Sequence, residues 1–418
     1  MAALFHGAFS TRCRALASLA AVCLIAGCAL PDSAFQNYAG ASRLQQWTNV
    51  LDAVSGGSVR RAESAGRGPL YNGAASMNVP SQSSSINDIA RLFAGMDGGG
   101  LSNVRGSSAW ASHKLRMDNL WATHQNNHRA PLLSWAATEI GDVQGANALF
   151  YPFSGPDFLF ASAICPSAET YVLVGLEPAE PLPRLDSLSQ DEIERGLYGL
   201  HNSVSTIMTS SYFITTDMKS DLVATRFRGV LPIILAFMAR TGHTVDSVDT
   251  VRLDGAGNIT LAGSSGNTGL MIRCHNGLGS PKKRVFYFRQ DLSNGGGSGP
   301  LLTYVSRLGR IPAFAKSASY LMHDGGFSKI REFMLRHSSV IVQDPSGVPY
   351  RDFNRSGWDL WLYGNHQGTL SVFPGCQQPD LTAAYSSGRH PVKPMNFGIG
   401  YLMNPQTTCL MVGRPRRS

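Results

Sequence analysis

Several signals that would assign a class to this chain are missing. Past Cys28 there is no apolar run of about eighteen residues, so no later membrane-spanning helix is expected. No Gly-x-Ser-x-Gly elbow, Walker loop or paired metal-ligand motif occurs, which removes the usual sequence grounds for a serine hydrolase, a P-loop nucleotidase or a zinc enzyme. Basic residues do not form a stripe interleaved with aromatics, so nucleic acid is not an expected partner. There is no internal repeat. Large apolar residues are scarce from Ala29 to about Arg105, where Ser55-Gly56-Gly57-Ser58 and Gly98-Gly99-Gly100 bury too little surface to offset the entropy of ordering.

What is present starts at the N-terminus. Arg12 and Arg14 precede the apolar stretch Ala15 to Gly27, which is shorter than a comfortable membrane span, and Leu24-Ile25-Ala26-Gly27-Cys28 closes it. This arrangement resembles the signal peptide and lipobox of bacterial lipoproteins. The resemblance implies cleavage before Cys28, lipidation of Cys28, and a mature chain held to membrane lipid without crossing it. Ala29, where an inner-membrane lipoprotein commonly carries aspartate, favours the outer membrane facing the periplasm. The expected organisation is a signal peptide over 1–27, a flexible tether over 28–105, a helical segment over 106–144 and an α/β domain over 145–418.

In that oxidising compartment Cys165, Cys274, Cys376 and Cys409 become disulfide candidates with three possible pairings. Cys376 with Cys409 is the first expectation, since both lie in a loop-rich stretch, and Cys165 with Cys274 follows. Four buried free thiols are the alternative. The formal charge of +8 includes the two signal-peptide arginines and the tail Arg414-Pro415-Arg416-Arg417. Such a mild excess suits an anionic surface or glycan, or a solvated tail.

Periodicity predicts a helix over Ser85 to Phe93 and two helices between Ser108 and Glu139, broken near His128 to Pro131. His124 and His128 are spaced i, i+4, the geometry of a two-histidine metal face, but Gln125 stands where a zinc protease carries its glutamate and no third ligand follows. No metal is expected. Beyond Gly145, strands are predicted at 148–153, 170–176, 245–253, 258–262, 269–274, 283–290, 339–343 and 358–363. Helices are predicted at 158–164, 229–240, 314–323 and 327–337. This alternation predicts an α/β fold, a Rossmann-like mixed sheet with helices on both faces.

The segment Leu149 to Asp157, with its turn Ser154-Gly155-Pro156-Asp157, is followed by a helix, a strand and then Glu177. It resembles the opening βαβ unit of Rossmann-like methyltransferases. The resemblance implies ligand contacts at Ser154, Gly155 and Glu177, the last binding ribose hydroxyls. Two features depart from the pattern: there is a single glycine, and Pro156 removes a backbone donor. With adenosylmethionine not expected outside the cytoplasm, no cofactor is expected. The blocks Tyr151 to Phe158, Ser211 to Met218, Lys316 to His323 and Asp344 to Tyr350 also resemble an uncharacterised bacterial protein family, over about Ser85 to Tyr363.

Loops at the carboxyl ends of parallel strands are where α/β sheets hold ligands, so Asp157, Glu177, His323 and Asp344 are expected to share a cleft if their strands are neighbours, with Asp217 a further member. Capping of helices and turns is the plainer role for these acids. The leading expectation is an envelope lipoprotein with a degenerate Rossmann-like domain in a binding or structural role. One alternative is an extracytoplasmic hydrolase or transferase on an envelope substrate, with Asp157 or Asp344 as general acid or base and His323 assisting. Another is a scaffold lipoprotein with envelope protein or glycan partners.

Overall fold

The computed structural model describes residues 85–212, 225–262, 269–370, 373, 375–388 and 391–416. Ser85 opens the first helix through a reciprocal capping box: its hydroxyl accepts from the Asp88 amide at 3.2 Å, and its own amide donates to the Asp88 carboxylate at 3.2 Å. In chain order the elements are α1 Ile86–Phe93, α2 Ser108–His124, α3 Ala130–Glu139, β1 Ala148–Tyr151, α4 Phe158–Ile164, β2 Thr170–Gly175, α5 Gln190–Ser210 and α6 Leu231–Arg240. They continue as β3 Thr244–Leu253, β4 Ile259–Leu261, β5 Gly269–His275, β6 Lys283–Arg289, α7 Gly299–Arg307, β7 Ile311–Ala315, α8 Ser328–His337, β8 Ser338–Gln343, α9 Tyr350–Arg355, β9 Trp358–Gly364, α10 Pro379–Ser386, β10 Val392–Lys393 and β11 Cys409–Pro415.

One eleven-stranded sheet runs in the order β10-β9-β11-β8-β7-β1-β2-β6-β5-β3-β4. Its centre, β6-β2-β1-β7-β8, is parallel throughout. Numbered by appearance, those five strands stand third, second, first, fourth and fifth, the doubly wound Rossmann order. β11 enters antiparallel between β8 and β9, and β5, β3 and β4 extend the other edge as antiparallel strands.

Side chains alternate across the sheet. Leu149, Tyr151, Tyr171, Leu173, Val285 and Tyr287 face one apolar layer with α1 to α6. Phe150, Val172, Val174, Phe286, Phe288 and Ala313 face the other, with α7, α8 and α9. Coverage of both faces explains why β1, β2 and β7 are buried along nearly their whole length. α4 is buried at all of its positions, and α6 at all but Arg240. Pro232 lies in the first turn of α6, where its missing N–H breaks no helical bond.

The structure departs from the sequence expectations in four places. The stretch 314–323 is not a helix. Ile311–Ala315 is a buried strand, and a five-residue apolar run carries no period that separates strand from helix. No break divides 108–139, because α2 passes into α3 through a π-helical turn at Gln125–Arg129. The folded body begins inside the expected tether: Ile89 and Phe93 of α1 are buried against α6 and β3, and Arg105 donates to the Met96 and Asp88 carbonyls. Finally, α5, α7, α9, α10, β10 and β11 have no counterpart among the expected elements.

Candidate functional site

β1 and β7 are parallel neighbours whose onward connections diverge, β1 through α4 to β2 and β7 through α8 to β8. Their carboxyl ends therefore form the topological switch point, where doubly wound sheets place ligands. Six non-glycine residues of the described chain adopt positive φ. Five of them gather here: Phe153 after β1, Ser211 after α5, and Ser317, Ser319 and Tyr320 after β7. Each such residue costs about 1–2 kcal/mol, so the surroundings must hold them. The Ser317 amide donates to Asp344 Oδ2 at 2.8 Å, the Ala318 amide to Ser346 Oγ at 2.7 Å, and the Ser319 amide to Tyr401 Oη at 2.9 Å. The Tyr401 hydroxyl in turn donates to the Ser317 carbonyl at 2.9 Å. The donors of this loop, a natural anion cradle, are spent on the chain's own side chains.

Beneath the loop lies a buried ion pair. Lys316 Nζ stands 2.9 Å from Asp157 Oδ2, with side chains 3% and 1% exposed. The lysine also donates to the Ser211 carbonyl and lies over the Phe160 ring, 4.3 Å from its centre. Asp157 caps α4, its Oδ1 accepting from the Phe160 amide at 3.0 Å, while the Tyr151 hydroxyl donates to Oδ2 at 2.8 Å. Burial, reinforced by the neighbouring Asp157 charge, raises the Tyr151 hydroxyl far above its ordinary range.

Asp344 is also buried. Its Oδ1 accepts from the amide and hydroxyl of Ser346. Burial raises this carboxyl, opposed by the hydrogen bonds from Ser346 and Ser317 and by the Lys316 charge. A Cβ at Gly400, which has φ +76°, would come within 2.2 Å of Asp344 Oδ2, so the network needs glycine there. His323 lies in a 3-10 turn rather than at a helix end. Its ring packs edge-on to Tyr320 with centroids 5.1 Å apart, and burial together with Arg351 lowers it to about 4, leaving it neutral at pH 7.

The opening turn is closed against β2. Ser154 Oγ accepts from the Val174 amide at 2.9 Å, and the Gly155 amide donates to the Val174 carbonyl at 3.1 Å. Glu177, expected to reach a ribose, instead accepts from the Tyr287 hydroxyl at 2.9 Å. It lies so close over Gly175 that a Cβ there would come within 2.2 Å of its Oε2 and 2.8 Å of the Gly155 Cα.

β1 and β8 are therefore not neighbours, because β7 runs between them; its Lys316 bonds Asp157 and exerts its charge on Asp344. Ser154, Gly155 and Glu177 cluster at the adjoining β2 end, while the contacts of His323 are with Tyr320 and the backbone of Pro345 and Gly347. Asp217 and Cys28 lie outside the described residues. None of Cys165, Cys274, Cys376 and Cys409 is in a disulfide, so neither expected bridge is present in the structure. Burial pushes Cys165 and Cys274 up to about 12, and Cys409 Sγ is 3.6 Å from His366 Nδ1. His124 is buried and spends Nδ1 on the Met208 carbonyl at 2.9 Å.

Sequence reasoning missed Lys316, Ser346, Tyr401, Tyr151 and Ser211. A lysine directly after a five-residue apolar run was the available signal, hidden by the helical reading of that segment. No protein-family model matches the chain, and comparison with curated proteins and with solved structures returns no match.

Proposed function

We propose that this is a lipid-anchored envelope protein whose doubly wound domain serves a binding or structural role and works without a nucleotide cofactor. The observation that carries the reading is the Lys316–Asp157 pair bridging the β1 and β7 loops across the switch point, with Glu177 committed to Tyr287. An adenosine cofactor would need the Gly155 turn open, the acid after β2 free and the β7 loop donors unspent; here each is occupied from within. The anchor rests on the Leu24 to Cys28 motif and on Ala29, which favours the outer membrane facing the periplasm. No helix among the described residues is long and apolar enough to cross a membrane, which is compatible with attachment through lipid. The partner is then an envelope protein or glycan.

Equilibrium dialysis and thermal unfolding with S-adenosylmethionine and NAD test this. No saturable binding and an unchanged Tm are expected. Saturable binding abolished by Glu177→Ala would overturn the reading.

A second reading, an extracytoplasmic hydrolase or transferase, is favoured by one observation: Asp344 is a raised carboxyl at the end of the parallel strand β8, accepting a hydrogen bond from the strained loop that follows β7. In that case Asp344→Asn would abolish turnover of an envelope glycan or peptide substrate while leaving the circular dichroism spectrum unchanged.

A further inference from the structure

We propose that Lys316 and Asp157 condense to an intramolecular amide, joining Nζ to Cγ and tying the β1 loop covalently to the β7 loop.

The reacting atoms are already together. Nζ is 2.9 Å from Oδ2, and both side chains are shut away from solvent, with the Phe160 ring centre 4.3 Å from Nζ. The reaction starts with one proton passing from Nζ to Oδ2 across their 2.9 Å contact, which gives a neutral amine beside a carboxylic acid. The Ser211 carbonyl, accepting from Nζ, holds the nitrogen in place. The carboxyl is fixed from two other directions. The Phe160 amide, 3.0 Å from Oδ1, stands where the oxyanion of a tetrahedral adduct would form. The Tyr151 hydroxyl, 2.8 Å from Oδ2, is placed to deliver a proton to the departing oxygen while taking one from Nζ. Asp344, a carboxyl raised by burial, lies near enough to feel the Lys316 charge and adds a second acid to the enclosure.

The atoms balance. The amine lone pair attacks Cγ, the Cγ–Oδ2 bond breaks, and Oδ2 leaves as water. Of the three ammonium protons, two depart in that water and one remains on the amide. No oxidant or other reactant is consumed. An ordinary ion pair would leave all of these atoms in place, so the two states differ by the mass of one water.

The test is tryptic peptide mapping of the reduced, denatured full-length chain. Free Lys316 gives separate peptides 130–184, 311–316 and 317–329. The amide blocks cleavage after Lys316, so the expected product is 130–184 joined to 311–329, lighter by one water than their sum, with fragment ions placing the link at Lys316 and Asp157. Lys316→Arg should return 130–184 as a free peptide. Quantitative recovery of the three separate peptides from the wild-type chain would overturn the proposal, and that readout does not depend on any variant folding. It would leave the ion pair, and the proposed function built on it, intact.

Discussion

Lys316 is the residue on which the closed switch point turns. Replacing it by methionine leaves Asp157 buried beside Tyr151 without a counter-ion, and removal of one partner from a buried pair costs about 3–5 kcal/mol. Urea unfolding of Lys316→Met should show that loss; a change below about 1 kcal/mol would mean the pair does not hold the loops. Histidines supply a pH dependence. Burial lowers His113, His124, His323 and His366 to about 4 and His243 to about 3. An unfolded histidine near 6.5 therefore binds protons that the folded one refuses, so stability is full above about 6.5 and falls as pH drops toward 4. The raised Asp344 works the other way and offsets part of this. A Tm that stays flat between pH 7 and 4.5 would contradict the burial of these rings.

At the scale of elements, the turn after β1 is closed by the fit of Gly155, Gly175, Glu177 and Tyr287. Gly175→Ala puts a Cβ within 2.8 Å of the Gly155 Cα and of the Tyr287 hydroxyl, and overpacking of this kind costs about 1–3 kcal/mol. Gly141→Ala meets nothing within 4 Å and should leave the denaturation midpoint nearly unmoved. The same elements show what was legible beforehand. β1, α4, β2 and β8 could be read because each is an apolar run of typical length bounded by turn residues, and Asp157 and Asp344 could be placed because acids after such runs fall at strand or helix ends. β7 could not be read, because Ile311 to Ala315 is too short for its period to show. With it went Lys316 and the three loop residues at positive φ, which no side chain in Ser317-Ala318-Ser319-Tyr320 announces. β11 was lost for another reason: its place depends on pairing with β8 and β9, a long-range fact that local pattern does not carry.

For the whole molecule, the proposed anchor and the closed domain make separate predictions. A Cys28→Ser variant expressed with its signal sequence should lose metabolic palmitate labelling and leave the membrane fraction; unchanged retention would contradict the lipoprotein reading. The closed domain has its own consequence for stability. A switch point satisfied from within should be among the last parts of the sheet to open, because its loop amides are bonded to the side chains of Asp344 and Ser346, directly after β8, and of Tyr401, ahead of β11, rather than to solvent. Free thiols at Cys165, Cys274 and Cys409 are consistent with a fold held by its two apolar layers. The measurement that addresses the closed crevice most directly is hydrogen exchange of the Ser317, Ala318 and Ser319 amides, with and without S-adenosylmethionine. The account predicts protection close to that of β7 itself and no change on adding the cofactor. Rapid exchange that slows when the cofactor is added would show an open, occupied site and contradict it.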